Sequence, residues 1–226
     1  MRVVVVRHHD VDSAGFIGAA FEERGAELDV RLFPDGGPLP DLDGIDHIVV
    51  MGAIPSVNDD HPWIAAELAW LRQADAAGVP ILGICFGGQA ICVVAGGRVE
   101  QAPRQEIGWF LVDSAAPNLV PRGPWLEFHG DRCLLPGTAR VLAANDLCVQ
   151  AFSAGKHLGV QFHPEVDGPQ LKRWLDAGSA AEAVREGVDP DEFLARTIRE
   201  EPHARPRADH LVETALRLAG TARLRG

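Results

Sequence analysis

The stretch PILGICFGGQAI (residues 80–91) contains a residue type suited to nucleophilic chemistry, the cysteine at position 85. Cys85 follows a short apolar run and lies between Gly83 and Gly87. This spacing is typical of a sharp strand-to-helix turn, because small flanking residues let the turn push the central side chain outward. The amides of a following helix would favour the thiolate. Free cysteines are also often buried, so this stretch alone leaves a core cysteine and a nucleophile equally open.

A base for that thiol is predicted in LGVQFHPEV, residues 158–166. His163 ends an apolar run and Glu165 stands two positions later, which in an extended segment puts both side chains on the same side. A carboxylate so placed holds one imidazole nitrogen and leaves the other for a thiol. Taken alone, H-P-E is more typical of a surface histidine beside a solvated glutamate. Together with the turn at Cys85, it predicts a nucleophile, a base and an orienting carboxylate.

Strand and helix patterns alternate through the first part of the chain. The sequence predicts buried strands over residues 2–6, 28–33, 46–52 and 79–85, and helices over 13–25 and 63–78, with Ser13 as the N-cap of the first helix. Such alternation predicts a parallel sheet covered on both faces, with chemistry at the carboxyl ends of its strands, where Cys85 stands.

The pattern changes from about residue 98, where short β-like runs broken by Gly, Pro and Asn-Asp predict added antiparallel strands. Residues 168–226 read as a helical C-terminal segment. We therefore expect one α/β domain over 1–226, with its catalytic core in 1–167.

Composition excludes several classes of protein. The chain has 226 residues and a formal net charge of -11, which argues against binding duplex nucleic acid or an anionic membrane. The N-terminal run of four valines is too short for a signal peptide or a membrane span, so we expect a cytoplasmic protein. The four cysteines contain no CxxC pair, and reduced thiols are expected.

Three further segments join the two motifs in order: MGAIPSVND (51–59), EIGW (106–109) and EFHGD (127–131). With GICFGGQ and VQFHPE, they make the sequence resemble the class I, triad-type glutamine amidotransferases over about three-quarters of its length. The order and context of these segments most resemble stand-alone amidotransferases similar to the glutaminase domain of GMP synthase. It implies a flavodoxin-like three-layer α/β/α fold. It also implies hydrolysis of the glutamine side-chain amide to glutamate and ammonia, which passes to an acceptor enzyme.

The chemistry of this family fits the residues. Cys85 would attack the amide carbon, His163 would transfer protons, and Glu165 would fix the imidazole tautomer. One oxyanion donor is expected from the backbone amide of Phe86, the residue after the nucleophile. The second donor, by resemblance, is the amide of Ala53.

The resemblance also assigns substrate-binding positions at Gly52, Gln89, Gly130 and Asp131. Without it, Gln89 would read as an ordinary helix-surface amide and HGD as an ordinary turn. These positions would hold the α-amino and α-carboxylate ends of glutamine.

The loop MGAIPS departs from the Gly-Gly-Pro that is common in the family. Alanine at position 53 cannot adopt positive φ as freely as glycine, so we expect fewer ways to present its amide. A slow isolated enzyme that a partner activates would follow.

The segment RHHD (7–10) follows a predicted strand and could face the site, and its His8, His9 and Asp10 suggest a metal site. However, adjacent side chains on an extended segment point apart and no other ligand set is evident. No metal site and no cofactor are predicted. No ATP-binding motif is present, so synthetase chemistry would belong to a synthase or acceptor partner.

Two other functions remain open. The same triad could serve a γ-glutamyl hydrolase or transferase that acts on another γ-glutamyl amide. A regulatory protein could also keep the fold without turnover, although an intact Cys, His and Glu set argues against it.

Overall fold

The structure, a computed structural model, describes residues 1–220; the last residues of the predicted helical segment, 221–226, lie outside the described residues. The described residues form nine strands: β1 (Arg2–Arg7), β2 (Glu27–Leu32), β3 (His47–Val50), β4 (Ile81–Ile84), β5 (Arg98–Ser114), β6 (Gly123–Leu134), β7 (Arg140–Ala144), β8 (Val149–Ala154) and β9 (His157–Val160). The α-helices among them are α1 (Gly15–Glu22), α2 (Pro62–Ala76), α3 (Phe86–Val94), α4 (Gly168–Trp174), α5 (Ala180–Arg185) and α6 (Pro190–Leu218), and a π-helical turn spans Leu175–Ser179.

The strands form one mixed sheet in the order β2-β1-β3-β4-β9-β8-β7-β5-β6. The first five are parallel to one another, and the pairs from β9 to β8 onward are antiparallel. In β1, the four valines Val3–Val6 are all buried, which is the pattern of a parallel strand with both faces covered.

Helices cover the sheet on both sides. Val3 and Val5 pack in one core cluster with residues of α1 and α6, whereas Val4 and Val6 pack in another with residues of α2 and α3. Alternate residues of one strand thus face different helix layers. The predicted three-layer α/β fold with a mainly parallel core and added antiparallel strands is confirmed.

The predicted cap of α1 is wrong. The N-cap residue is Ala14, and the Ser13 hydroxyl instead donates a 2.7 Å hydrogen bond to Gln170 Oε1. The amide of Phe16 donates to the carbonyl of Glu165 at 3.0 Å, so a tertiary backbone contact replaces a side-chain cap. This contact ties the start of α1 to the H-P-E segment.

Within residues 1–220, no helix combines the length and the apolar composition that crossing a bilayer requires.

Candidate active site

Cys85 lies at a tight turn between the end of β4 and the start of α3. Its φ of 52° makes it the only residue other than glycine with positive φ among residues 1–220. Such a conformation costs on the order of 1–3 kcal/mol and persists only where the surroundings impose it. Here the Cys85 amide donates to the Val160 carbonyl at 2.8 Å, and the Cys85 carbonyl accepts from the Gln89 amide at 2.9 Å. The turn places the thiol beside the N-terminus of α3.

The glycines around Cys85 are needed for close backbone packing. A Cβ at Gly83 would lie 2.2 Å from the Gly87 carbonyl oxygen, and one at Gly87 would lie 2.2 Å from the Val50 carbonyl oxygen. A Cβ at Gly88 would lie 2.5 Å from the Val160 carbonyl oxygen. Since backbone atoms cannot swing away as a side chain does, only glycine lets the turn pack between β3 and β9.

We expect Gly83→Ala to destabilise the protein by at least about 3 kcal/mol, because the added methyl group overlaps a backbone carbonyl. Urea unfolding followed by circular dichroism measures the effect. Gly137→Ala is the matched control, since a Cβ at Gly137 meets no atom within 4 Å. Equal stability of the two variants would contradict the packing argument.

His163 and Glu165 lie next to this turn. The His163 Nδ1 is 2.8 Å from Glu165 Oε1, and both side chains are almost fully buried. The Trp174 indole and the imidazole pack in a T-shaped arrangement with ring centroids 5.0 Å apart. A Cβ at Gly52 would lie 3.0 Å from His163 Cε1 and 3.7 Å from Cys85 Cβ, so the imidazole and the cysteine both lie against Gly52.

The electrostatics of the site favour a charged imidazole. Burial acts to lower the pKa of His163, but the negative charges of Glu165 and Cys85, and hydrogen bonds with both, raise that pKa well above its usual value. An imidazolium held between a carboxylate and a thiolate is the resting arrangement of cysteine nucleophiles paired with histidine.

Two backbone amides near this turn have no hydrogen-bond acceptor among the described residues. In residues 1–220, neither the Phe86 amide nor the Ala53 amide donates a hydrogen bond to the protein. Phe86 is the first residue of α3, whose leading amides cannot pair within the helix. Gly52 and Ala53 follow β3 and line the same cavity as Cys85.

Gln89 does not lie on an exposed helix face. It is buried, and its Nε2 donates to Gln161 Oε1 at 3.3 Å, while Gln161 Nε2 lies 3.6 Å from Cys85 Sγ. Sequence reasoning missed Gln161. Its spacing of two from His163 in an extended run is the signal that places both on one side.

Gly130 and Asp131 line the cavity from β6. Asp131 accepts a 2.5 Å hydrogen bond from the hydroxyl of Ser56, which joins β6 to the loop after β3. Beneath them, His129 Nδ1 lies 2.9 Å from the Asp131 carbonyl oxygen and supports this part of the backbone.

The imidazole of His129 is itself held by buried carboxylates. Its Nε2 lies 3.1 Å from Glu106 Oε2 and 3.3 Å from Glu127 Oε2. Burial acts to lower the pKa of His129, but these carboxylates raise it to about 10. Glu106, His129 and Cys148 bring donor atoms within 4.8 Å of one another, but both ring nitrogens of His129 face protein oxygens, and Glu106 also accepts hydrogen bonds from Asn145 and Gln150. The cluster therefore works as a hydrogen-bonded support for β6.

The cavity has a volume of about 830 Å³. Eight of the nine site residues predicted from sequence line it: Gly52, Ala53, Cys85, Gln89, Gly130, Asp131, His163 and Glu165. The ninth, Phe86, packs its ring into the core while its amide lies beside Cys85. Trp174 and residues of the π-helical turn and α5 form a further wall. The C-terminal segment thus contributes to the cavity, a position that its apolar pattern did not indicate.

The fold and this cavity define an α/β protein with cysteine, histidine and glutamate gathered at the carboxyl ends of neighbouring parallel strands. Residues 16–177 match the model of the family "Glutamine amidotransferase class-I". This match covers most of the chain, which belongs to the class I glutamine amidotransferase family.

The chain is similar to individual proteins of known sequence or structure. The chain is 32% identical to gamma-glutamyl peptidase 3 of Arabidopsis thaliana over 205 residues, covering 78% of this chain and 82% of the relative. It is 37% identical over 111 residues to a glutamine-hydrolysing GMP synthase of Rhizobium rhizogenes, covering 42% of this chain and 21% of that protein. The crystal structure of a glutamine amidotransferase from Thermotoga maritima superposes with a TM-score of 0.88 at 27% identity, covering 96% of this chain and 98% of the other.

Proposed function

We propose that this protein hydrolyses the side-chain amide of glutamine, using Cys85 as nucleophile, His163 as acid and base, and Glu165 as the group that orients His163. The observation that carries the proposal is the position of Cys85, which is held at positive φ at the start of a helix beside a buried imidazole and carboxylate pair. Strain of this kind is found where function requires a geometry that the backbone disfavours.

In the first half of the reaction, the Cys85 thiolate attacks the amide carbon and a C–S bond forms. The carbonyl oxygen takes the electron pair as an oxyanion, which the amides of Phe86 and Ala53 stabilise. His163 gives its proton to the amide nitrogen. The C–N bond then breaks, ammonia leaves, and a glutamyl thioester remains on Cys85.

In the second half, His163 takes a proton from water as the water oxygen attacks the thioester. A second oxyanion forms and collapses, the C–S bond breaks, and glutamate leaves. The thiolate and the imidazolium are restored. Glu165 keeps its hydrogen bond to Nδ1, so that Nε2 is the nitrogen that exchanges protons.

Residues on the cavity wall would hold the amino-acid end of the substrate. Gln89 and the backbone at Gly130 and Asp131 offer hydrogen bonds that suit an α-carboxylate and an α-ammonium group, and Gly52 leaves room for the side chain. The ammonia would pass to a synthase or acceptor partner. A cytoplasmic location remains a prediction from composition.

A second candidate substrate is a γ-glutamyl amide with a larger leaving group. The cavity volume of about 830 Å³ lies in the range of volumes that hold drug-sized ligands, and it is larger than a single amino acid requires. The similarity to gamma-glutamyl peptidase 3 supports the same class of substrate. The catalytic steps would be unchanged, with an amine leaving in place of ammonia.

The test compares purified protein on glutamine and on a γ-glutamyl dipeptide. Glutamate, ammonia and free amino acid are quantified, and the two values of kcat/KM are compared. A higher kcat/KM for glutamine supports the amidotransferase reaction, and a higher value for the dipeptide supports the second candidate. Absence of glutamate from both substrates would overturn both and favour a non-catalytic protein of the same fold.

A further inference from the structure

His8 lies just beyond the carboxyl end of β1 and connects the loop after β3 to α2. Its Nδ1 is 2.8 Å from the Gly52 carbonyl oxygen, and its Nε2 is 2.9 Å from Glu67 Oε2. The rings of Trp63 and Phe86 pack against the imidazole, with centroids 5.2 Å and 5.0 Å away. The side chain is almost fully buried, and the reaction steps above do not use it.

Burying the side chains of His8 and Glu67 costs desolvation free energy, which their mutual interaction must offset. Glu67 is completely buried on α2, and its Oε1 finds no hydrogen-bond partner in the protein over residues 1–220. A buried carboxylate is tolerated only beside a compensating charge. Burial acts to lower the pKa of His8, but Glu67 and the Gly52 carbonyl raise it, which supplies that charge.

The protonation of Nδ1 follows from its partner. A backbone carbonyl can only accept, so Nδ1 of His8 must carry a hydrogen and donate it to Gly52. Glu67, on the other ring nitrogen, keeps the imidazole in this orientation, as a carboxylate does for the histidine of a catalytic triad.

The Gly52 carbonyl and the Ala53 amide belong to the same peptide unit. This unit is trans, since the one cis peptide bond within residues 1–220 precedes Pro34. In a planar trans peptide, the C=O and N–H bonds point in opposite directions. The hydrogen bond from His8 therefore fixes where the Ala53 amide points, namely away from His8.

We propose that His8 and Glu67 are positioning residues that hold the Gly52–Ala53 peptide with its amide directed at the oxyanion formed on Cys85. The proposal rests on the proposed function for the identity of that oxyanion. The proposal also changes what we expect from the alanine at position 53. An external hydrogen bond to the carbonyl restricts rotation of the peptide, so the oxyanion hole is preformed. The slow, partner-activated enzyme that the loop sequence suggested is then not expected.

The kinetic test is His8→Ala on the amide that the wild type hydrolyses fastest. We expect kcat to fall about 10- to 100-fold with KM nearly unchanged, because the donor remains but is aligned only part of the time. Alkylation of Cys85 by iodoacetamide should stay within about twofold of wild type, because alkylation forms no oxyanion. Glu67→Gln should retain most of the rate, since a glutamine amide can donate to Nε2 of a neutral His8.

His157→Ala is the matched control. His157 is also buried and paired with a carboxylate, with Nε2 3.0 Å from Asp75 Oδ1, and its Nδ1 accepts from the Ile81 amide at 3.1 Å. It lies at the opposite end of the strands and outside the main cavity. A stability loss without a kcat loss in this variant would separate general damage from the effect of His8.

Crystal structures of His8→Ala and His157→Ala test the geometry without any substrate. The Gly52–Ala53 peptide should rotate in the first variant and keep its orientation in the second. An unchanged peptide in His8→Ala, or an unchanged kcat, would overturn the proposal. A wild type inactive on every amide would instead overturn the proposed function, and the peptide orientation would still decide the role of His8.

Discussion

Replacement of Cys85 by alanine is expected to abolish amide hydrolysis, a loss on the order of 10⁶-fold in kcat, while the fold persists. The size follows from the way triad members act as a unit: without the nucleophile, only binding and the oxyanion donors remain. Alanine also fits the space, because the change removes only the sulfur atom from a side chain that packs in a buried cluster and lines the cavity. The measurement is glutamate release by the purified variant, with circular dichroism to verify folding.

The other three cysteines are the controls. Cys92 and Cys133 are buried in the core. The hydrogen bond that Cys133 donates to Cys92, together with burial, raises the pKa of Cys133, and the same bond lowers the pKa of the buried Cys92. Burial raises the pKa of Cys148. Alanine at each of these positions should leave kcat unchanged, and iodoacetamide should label Cys85 first in the wild type. Glutamate release by folded Cys85→Ala at more than a trace would rule out the mechanism.

Much of the fold follows from local patterns. The four valines of β1 and the apolar run before Cys85 indicate buried strands directly. The pairing of the strands was harder to predict, because it joins residues that are far apart in the sequence. The run beginning at Leu158 stands among the antiparallel segments of the sequence, yet β9 pairs parallel with β4 and places His163 beside Cys85. β5 is one strand of 17 residues whose register shifts between Gln101 and Glu106, where the sequence reads as two runs.

The residues of the candidate site also fall into two groups, those that local sequence patterns indicate and those that only the fold brings together. Cys85, His163 and Glu165 are adjacent to their own local signals, a glycine-flanked turn and a spacing of two. His8 has no such signal. The role proposed for it depends on Glu67, which is 59 positions away, and on a carbonyl 44 positions away. Only the fold brings these groups together; the sequence indicated that the segment could face the site, but the chemistry it suggested there was metal binding.

We expect His163→Ala to lower kcat about 10⁴-fold and Glu165→Gln about 10²-fold. The first variant removes the group that transfers protons, whereas the second leaves it in place with weaker orientation. Glutamine at position 165 keeps a hydrogen-bond acceptor for Nδ1 but removes the charge. Equal and complete losses in both variants would contradict these separate roles.

The pH profile gives Glu165 a second, independent test. The proposed reaction needs a protonated His163 to give its proton to the leaving nitrogen, so activity should fall on the alkaline side as that imidazolium loses its proton. The carboxylate of Glu165 raises the pKa of His163, and Glu165→Gln removes this contribution. The pKa of His163 in the folded protein must then fall, so the alkaline limb of the kcat/KM profile must move to lower pH.

Asp75→Asn is the control for this shift. Asp75 pairs with His157 at 3.0 Å, so the variant removes a carboxylate from another buried histidine, one that lies away from the main cavity. Its profile should coincide with that of the wild type. Loss of an orienting group that carries no charge could lower kcat but could not move the alkaline limb. A shift that occurs in Glu165→Gln and not in Asp75→Asn would therefore show that the charge of Glu165 acts on His163. An unshifted limb would leave Glu165 with orientation only.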